Sequence, residues 1–123
     1  MCKRILVLDD DLAILDVLGD ILEYGGYTVS KLSRGDKVFE TIHDYHPDLI
    51  LLDVMLADHD GRDICKKIKE DKDNSVANIP VIMISATHDL AQCLTQQGAP
   101  NDFVAKPFDM NNLLHKIEVQ LAA

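Results

Sequence analysis

Apolar residues along the chain fall into two alternating rhythms. Unbroken runs come first: Ile5-Leu6-Val7-Leu8 stops at Asp9-Asp10-Asp11, and Leu49-Ile50-Leu51-Leu52 stops at Asp53. A third run, Val81-Ile82-Met83-Ile84, follows Pro80 and stops at Ser85. Runs of this kind, with no polar residue inside them, predict strands covered on both faces, as in a parallel sheet. Val29 to Leu32 and Asp102 to Ala105 are less apolar and predict edge strands.

Between the runs the period becomes helical. Ile14, Leu15, Leu18, Ile21 and Leu22 form one stripe, closed by the Gly25-Gly26 pair as a C-cap. Val38, Phe39 and Ile42 form a second, opened by Gly35-Asp36. Ile64, Cys65 and Ile68 form a third, with Lys66, Lys67 and Lys69 expected to face outward. Met110, Leu113, Leu114, Ile117 and Leu121 form the last, with Asp109 as its N-cap. Residues 87 to 97 make a poorer helix, with only Leu90, Cys93 and Leu94 on the apolar side. Few buried contacts would hold it, so 86 to 101 is expected to open most readily.

Strands alternating with helices in this order predict one α/β domain over residues 1 to 123, a doubly wound (βα)5 unit. The expected sheet has five parallel strands in the flavodoxin-like order 2-1-3-4-5. Its ligand crevice then lies at the carboxyl ends of strands 1 and 3.

Charge narrows the partners. Lys and Arg number 12 against 21 Asp and Glu, a formal net charge of −9, so clustered phosphate contacts to nucleic acid are not expected of this domain. No apolar run approaches a membrane span. Three dispersed cysteines without a CxxC pair make a reduced, cytoplasmic setting the default. The five histidines show no metal-ligand spacing. Among the acidic residues 17 are Asp and only 4 are Glu, a bias toward caps, loops or a cation site rather than helix surfaces.

The residues that end the strands carry the chemistry. Strand 1 ends in Asp9-Asp10-Asp11, strand 3 in Asp53, strand 4 in Ser85, and strand 5 leads into Lys106-Pro107-Phe108. In a parallel sheet these ends open on one edge, so carboxylates, a hydroxyl and an ammonium converge. Clustered carboxylates repel each other, and a hard divalent cation such as Mg²⁺ relieves them. The bland alternative is that Asp10 or Asp11 caps the first helix and Asp53 caps a loop. Capping accounts for one of the N-terminal aspartates; it does not account for Asp53 directly after four buried apolar residues. Pro107 fixes a bend where strand 5 ends and keeps Lys106 at the carboxylate edge.

With these residues in order, the chain resembles a response-regulator receiver domain of two-component signal transduction. The resemblance is carried by Asp9-Asp10, Asp53 in Leu51-Leu52-Asp53-Val54-Met55-Leu56, Asp60-Gly61, Ser85-Ala86 and Lys106-Pro107-Phe108. It implies that Asp53 is the phosphoacceptor for a sensor histidine kinase or histidine phosphotransfer protein. It implies Mg²⁺ held by Asp9, Asp10, Asp53 and the backbone carbonyl of Met55. Lys106 and Ser85 would contact the phosphoryl oxygens, and Phe103 would turn inward as Ser85 moves. The signal would leave through the face of the helix at 87 to 97, the fifth strand and the last helix, toward a downstream partner or fused output domain. The resemblance also admits a phosphorylation-dependent homodimer, and it implies a signalling phosphoprotein rather than an enzyme. The sequence departs from the family at Ala57, where a proline is usual, and at Phe103, which lacks a hydroxyl.

Two other readings start from the same residues. Asp9 and Asp11 spell the DxD of haloacid-dehalogenase-like Mg²⁺ phosphatases, with Asp9 as nucleophile. That reading leaves Asp53 without a role and finds only Asp109 where an acidic pair is needed. A flavin-binding domain of the same fold would place its phosphate against three repelling aspartates.

Overall fold

The computed structural model describes residues 3–54, 60–85, 100–105 and 109–122. Its five strands are β1 (Arg4–Leu8), β2 (Thr28–Leu32), β3 (Leu49–Asp53), β4 (Val81–Ser85) and β5 (Asp102–Ala105). They form one parallel sheet in the order β2-β1-β3-β4-β5. The expected class and strand order are therefore those observed. The helices described are α1 (Leu12–Tyr24), α2 (Val38–Tyr45), α3 (Gly61–Lys69), the single turn α4 (Asn74–Ala77) and α5 (Met110–Ala122). The helix expected at 87 to 97, and with it most of the segment expected to open readily, lies outside the described residues.

Alternation along the strands divides the core into two layers. Leu6, Leu8, Ile50, Leu52, Val81 and Met83 pack with Val38, Ile42, Ile64, Cys65 and Ile68 from α2 and α3. Ile5, Val7, Leu49, Leu51, Ile82 and Ile84 pack with Leu15, Leu18 and Leu22 of α1 and Leu113 and Ile117 of α5. β3 and β4 are buried along their full length because both faces are covered. Edge strand β2 is only half-buried.

The predicted caps form. Gly26 adopts φ 91°, and the Tyr27 N–H reaches the Leu22 carbonyl at 3.0 Å while the Gly26 N–H reaches Glu23, a Schellman closure of α1. Asp109 accepts the Asn111 N–H at 3.4 Å at the start of α5.

Two expectations need correction. Met110 is 40% exposed and does not join the apolar stripe of α5. Lys69 does not face outward with Lys66 and Lys67. Its Nζ donates to the Ile79 carbonyl at 2.9 Å and to Asn101 Oδ1. Asn101 Oδ1 also accepts the Val81 N–H at 3.0 Å, so this lysine ties α3 to the start of β4 and β5. Burial holds the Lys69 ammonium below its ordinary pKa. The position lies four residues after Cys65 on the same helix face, which brings its stem inward.

Beside it, burial pushes the Cys65 thiol up from 9.0 to about 11. The sign follows from linkage: above pH 9 the unfolded chain loses this proton first, so the stabilising contribution is full below pH 9 and is lost as pH rises toward about 11. Lys69 acts in the opposite direction, because its folded form releases a proton earlier than the unfolded chain does. Chemical denaturation between pH 8 and 11 is expected to show a shallower alkaline loss of stability in Cys65→Ala than in the parent. Parallel curves would contradict the buried-thiol assignment.

Candidate functional site

The register sets the strand ends level: Leu8 pairs with Leu52, and Asp53 pairs with Ile84. Asp9 and Asp53 are buried, at 1% and 4% exposure, whereas Asp10 is exposed. One carboxylate oxygen from each of Asp9, Asp10 and Asp53 lies within 4.8 Å of the others. Of the three aspartates after β1, Asp11 is the helix cap. Its Oδ1 accepts the N–H groups of Ala13 at 2.9 Å and Ile14 at 3.3 Å. Asp9 is fixed differently, with its Oδ1 accepting the Asp11 N–H at 2.9 Å and its own N–H donating to the Leu32 carbonyl at 3.1 Å. Capping and carboxylate clustering are thus divided among neighbouring residues.

The backbone that presents Asp53 is clamped. The Val54 N–H donates to the Ile84 carbonyl at 3.1 Å, and the Gly61 N–H donates to the Val54 carbonyl at 2.8 Å. The N-terminus of α3 comes so close that a Cβ on Gly61 would overlap the Asp53 carbonyl oxygen and lie 2.9 Å from its carbonyl carbon. Glycine is required there by close approach rather than by an unusual dihedral. The preceding residue, Asp60, caps α3 by accepting the Arg62 N–H at 2.9 Å. Hydrogen bonds from the Arg62 side chain hold the Asp60 carboxyl below the usual range.

Ser85 is buried at the end of β4, level with Ala105 of β5. Phe103 pairs with Met83, so it shares a sheet face with Ser85 one step back along the neighbouring strand. It is half-buried against the layer formed by α2 and α3. Met55 and Lys106 lie outside the described residues. Among the described residues, then, the fold gathers Asp9, Asp10 and Asp53 and brings Ser85 and Phe103 to neighbouring positions. Gly61 stands in the sequence only as part of the Asp60-Gly61 motif; its contact with Asp53 is visible only in the fold. Lys116, whose place between Leu113 and Ile117 flanks the buried stripe, meets Asp102 at the opposite, amino end of β5.

All three clustered donors are carboxylate oxygens, the hard ligands that suit Mg²⁺, and Asp10 leaves the cluster open to solvent on one side. The arrangement can hold such a cation next to the buried carboxylate of Asp53.

Comparison with known proteins agrees with this geometry. The family model described as the response regulator receiver domain matches residues 5–118. The chain is 36% identical over 120 residues to the DNA-binding dual master transcriptional regulator RpaA of Synechocystis, covering 96% of this chain and 48% of that protein. It is 30% identical over 122 residues to the DNA-binding response regulator MtrA of Mycolicibacterium smegmatis, covering 98% and 51%. It spans about half the length of these curated relatives. A CheY-like response regulator receiver domain protein from Methanospirillum hungatei superimposes with a TM-score of 0.87 at 28% identity, covering 99% of this chain and 95% of that one.

Proposed function

Because the chain belongs to the response regulator receiver domain family, we propose that Asp53 is its phosphoacceptor, taking a phosphoryl group from the phosphohistidine of a sensor kinase or phosphotransfer protein. The observation that carries this reading is a buried carboxylate at the end of a central strand, within 4.8 Å of two others. Asp53 Oδ attacks phosphorus as the histidine N–P bond breaks. The domain contributes mainly position and charge.

Asp9, Asp10, Asp53 and the backbone carbonyl of Met55 would hold Mg²⁺ in this reading. When bound, the metal neutralises charge on the transferring group and on the carboxylates around it. Lys106 and Ser85 contact the remaining phosphoryl oxygens. Ser85, drawn toward the phosphoryl group, vacates space that Phe103 then enters. This changes the face built from β5, α5 and the segment between β4 and β5.

The receiver is a signalling domain, and residues 1 to 123 constitute that unit. Its output passes to a downstream partner or to an output domain in the same protein, as the names of the DNA-binding relatives suggest for them. With a net charge of −9 this domain does not itself hold nucleic acid. No described helix is long and apolar enough to cross a membrane, and a cytoplasmic location is proposed from the kinase partnership. Family membership displaces the phosphatase alternative, which gave Asp53 no role.

Incubation with a small-molecule phosphodonor and Mg²⁺ is expected to add one phosphoryl group, read as an 80 Da mass increase. Asp53→Asn is expected to abolish the adduct. Asp11→Asn is expected to retain most of it, since Asn caps a helix as well as Asp does. Undiminished labelling of Asp53→Asn would overturn the assignment.

A further inference from the structure

Lys116 projects from α5, on one side of the sheet, and ends beside an aromatic ring on the other. Parity along β5 explains the geometry. Val104 belongs to the layer shared with α1 and α5, so Asp102 faces that layer too, whereas Phe103 faces the layer of α2 and α3. β5 is the last strand of the sheet, and among the described residues no strand pairs with its outer side, which leaves a route around it. The Lys116 ammonium bonds Asp102 Oδ1 at 3.1 Å and stands 5.6 Å from the centroid of the Phe103 ring. The same Asp102 Oδ1 accepts the Phe103 N–H at 2.8 Å. One carboxylate oxygen thus receives both the backbone amide of the aromatic residue and the cation that lies against its ring. The Lys116 and Asp102 side chains are 27% and 26% exposed, shielded enough for the pair to be fixed and open enough to exchange.

We propose that Lys116 is a positioning residue for Phe103: with Asp102 it forms a clasp around edge strand β5 that holds the ring in the place seen here. The inference rests on the reading of Phe103 as the residue that moves on phosphorylation. A phenylalanine has no hydroxyl with which to anchor its position by a hydrogen bond. The cation against its face supplies an attraction that survives only while the ring stays. Movement of the ring breaks the cation contact, so the clasp weights the equilibrium toward the unphosphorylated arrangement. By reciprocity, phosphorylation loosens Lys116, and any acidic group of a partner that draws Lys116 away favours phosphorylation. The released ammonium lies on β5 and α5, part of the proposed signalling face.

The test incorporates 4-fluorophenylalanine and follows the Phe103 resonance, assigned by its loss in Phe103→Leu. Beryllofluoride with Mg²⁺ serves as the phosphoryl mimic. In the parent protein the Phe103 resonance is expected to move on adding the mimic. Lys116→Met is expected to move that resonance part of the way without the mimic and to tighten beryllofluoride binding about two- to fivefold, the range for a partly exposed cation–ring contact. Lys116→Arg, which keeps the cation, is expected to restore both parent values. A merely structural role for the lysine would change melting temperature without shifting ring position or mimic affinity. If the parent resonance moves but Lys116→Met matches the parent in position and affinity, the clasp is overturned and the switch reading stands. If the parent resonance ignores the mimic although the mimic binds, both are overturned.

Discussion

Gly61→Ala is expected to destabilise the domain by about 3 kcal/mol, because the added methyl would enter the space of the Asp53 carbonyl. The obstacle is backbone on both sides. The Gly61 N–H is bonded to Val54 at 2.8 Å, and Asp53 is held in β3 between β1 and β4. Neither can step aside as a flexible side chain can. At about 4 °C per kcal/mol for a chain of this size, the melting temperature is expected to fall by roughly 12 °C. Gly25→Ala is the comparison, since its new methyl would meet the Leu114 side chain at 3.0 Å, which can rotate away. The relief available to Gly61→Ala is to push Asp53 outward, which displaces the proposed nucleophile. A misplacement near 1 Å costs on the order of a hundredfold in rate. Phosphorylation measured well below the melting transition is therefore expected to fall at least tenfold, more than any change in folded fraction explains. A variant melting within about 2 °C of the parent and labelling normally would show that α3 does not constrain Asp53.

This constraint also marks where sequence reading stops. The three buried strands were legible because a strand covered on both faces has no polar positions to interrupt it. The carboxylates after β1 and β3 stood out for the same reason, as charges abutting an apolar run. Their division of labour was legible only through the family resemblance, which names Asp9 and Asp10 beside Asp53. Asp9, Asp10 and Asp11 are one chemical type, and in the fold the entry of α1 makes Asp11 the cap while Asp9 and Asp10 join Asp53. Asp60-Gly61 was visible as a motif, but the reason for glycine is a contact with residues seven and eight positions earlier. Lys69 is expected from its charge to face outward, and nothing in the pattern singles out Lys116, because in both the charged end masks a long apolar stem. Both flank a buried stripe, and both bring the ammonium to oxygen atoms of other elements. α4 was missed because a single turn holding one buried residue, Val76, has no period to detect, although Asp73 caps it by accepting the Ser75 N–H at 2.9 Å.

Mg²⁺ is expected to raise the melting temperature of the parent by roughly 10 °C at 100 times its dissociation constant. The physical basis is repulsion stored at the strand ends. Carboxylates whose oxygens lie within 4.8 Å of one another repel as like charges. Hydrogen bonds such as that from the Asp11 N–H to Asp9 offset part of this. Unfolding separates the three carboxylates and releases the strain, so a cation that binds only the assembled cluster stabilises the folded state. The gain is about 2.7 kcal/mol at that concentration, which converts to the stated temperature shift. Asp10→Asn separates the two effects. It removes one negative charge and one charged ligand from the exposed side of the cluster, so the metal-free protein is expected to melt higher than the parent while its response to Mg²⁺ largely disappears. Asp11→Asn controls for general loss of charge near β1. It retains the cap and leaves the cluster intact, and it is expected to keep the parent's full Mg²⁺ response. The readout is unfolding alone and needs no kinase or phosphodonor, so it tests the cluster independently of the phosphoacceptor assignment. A parent melting curve indifferent to millimolar Mg²⁺, or an Asp10→Asn curve that responds as strongly as the parent, would mean that the three carboxylates do not act as one cation site.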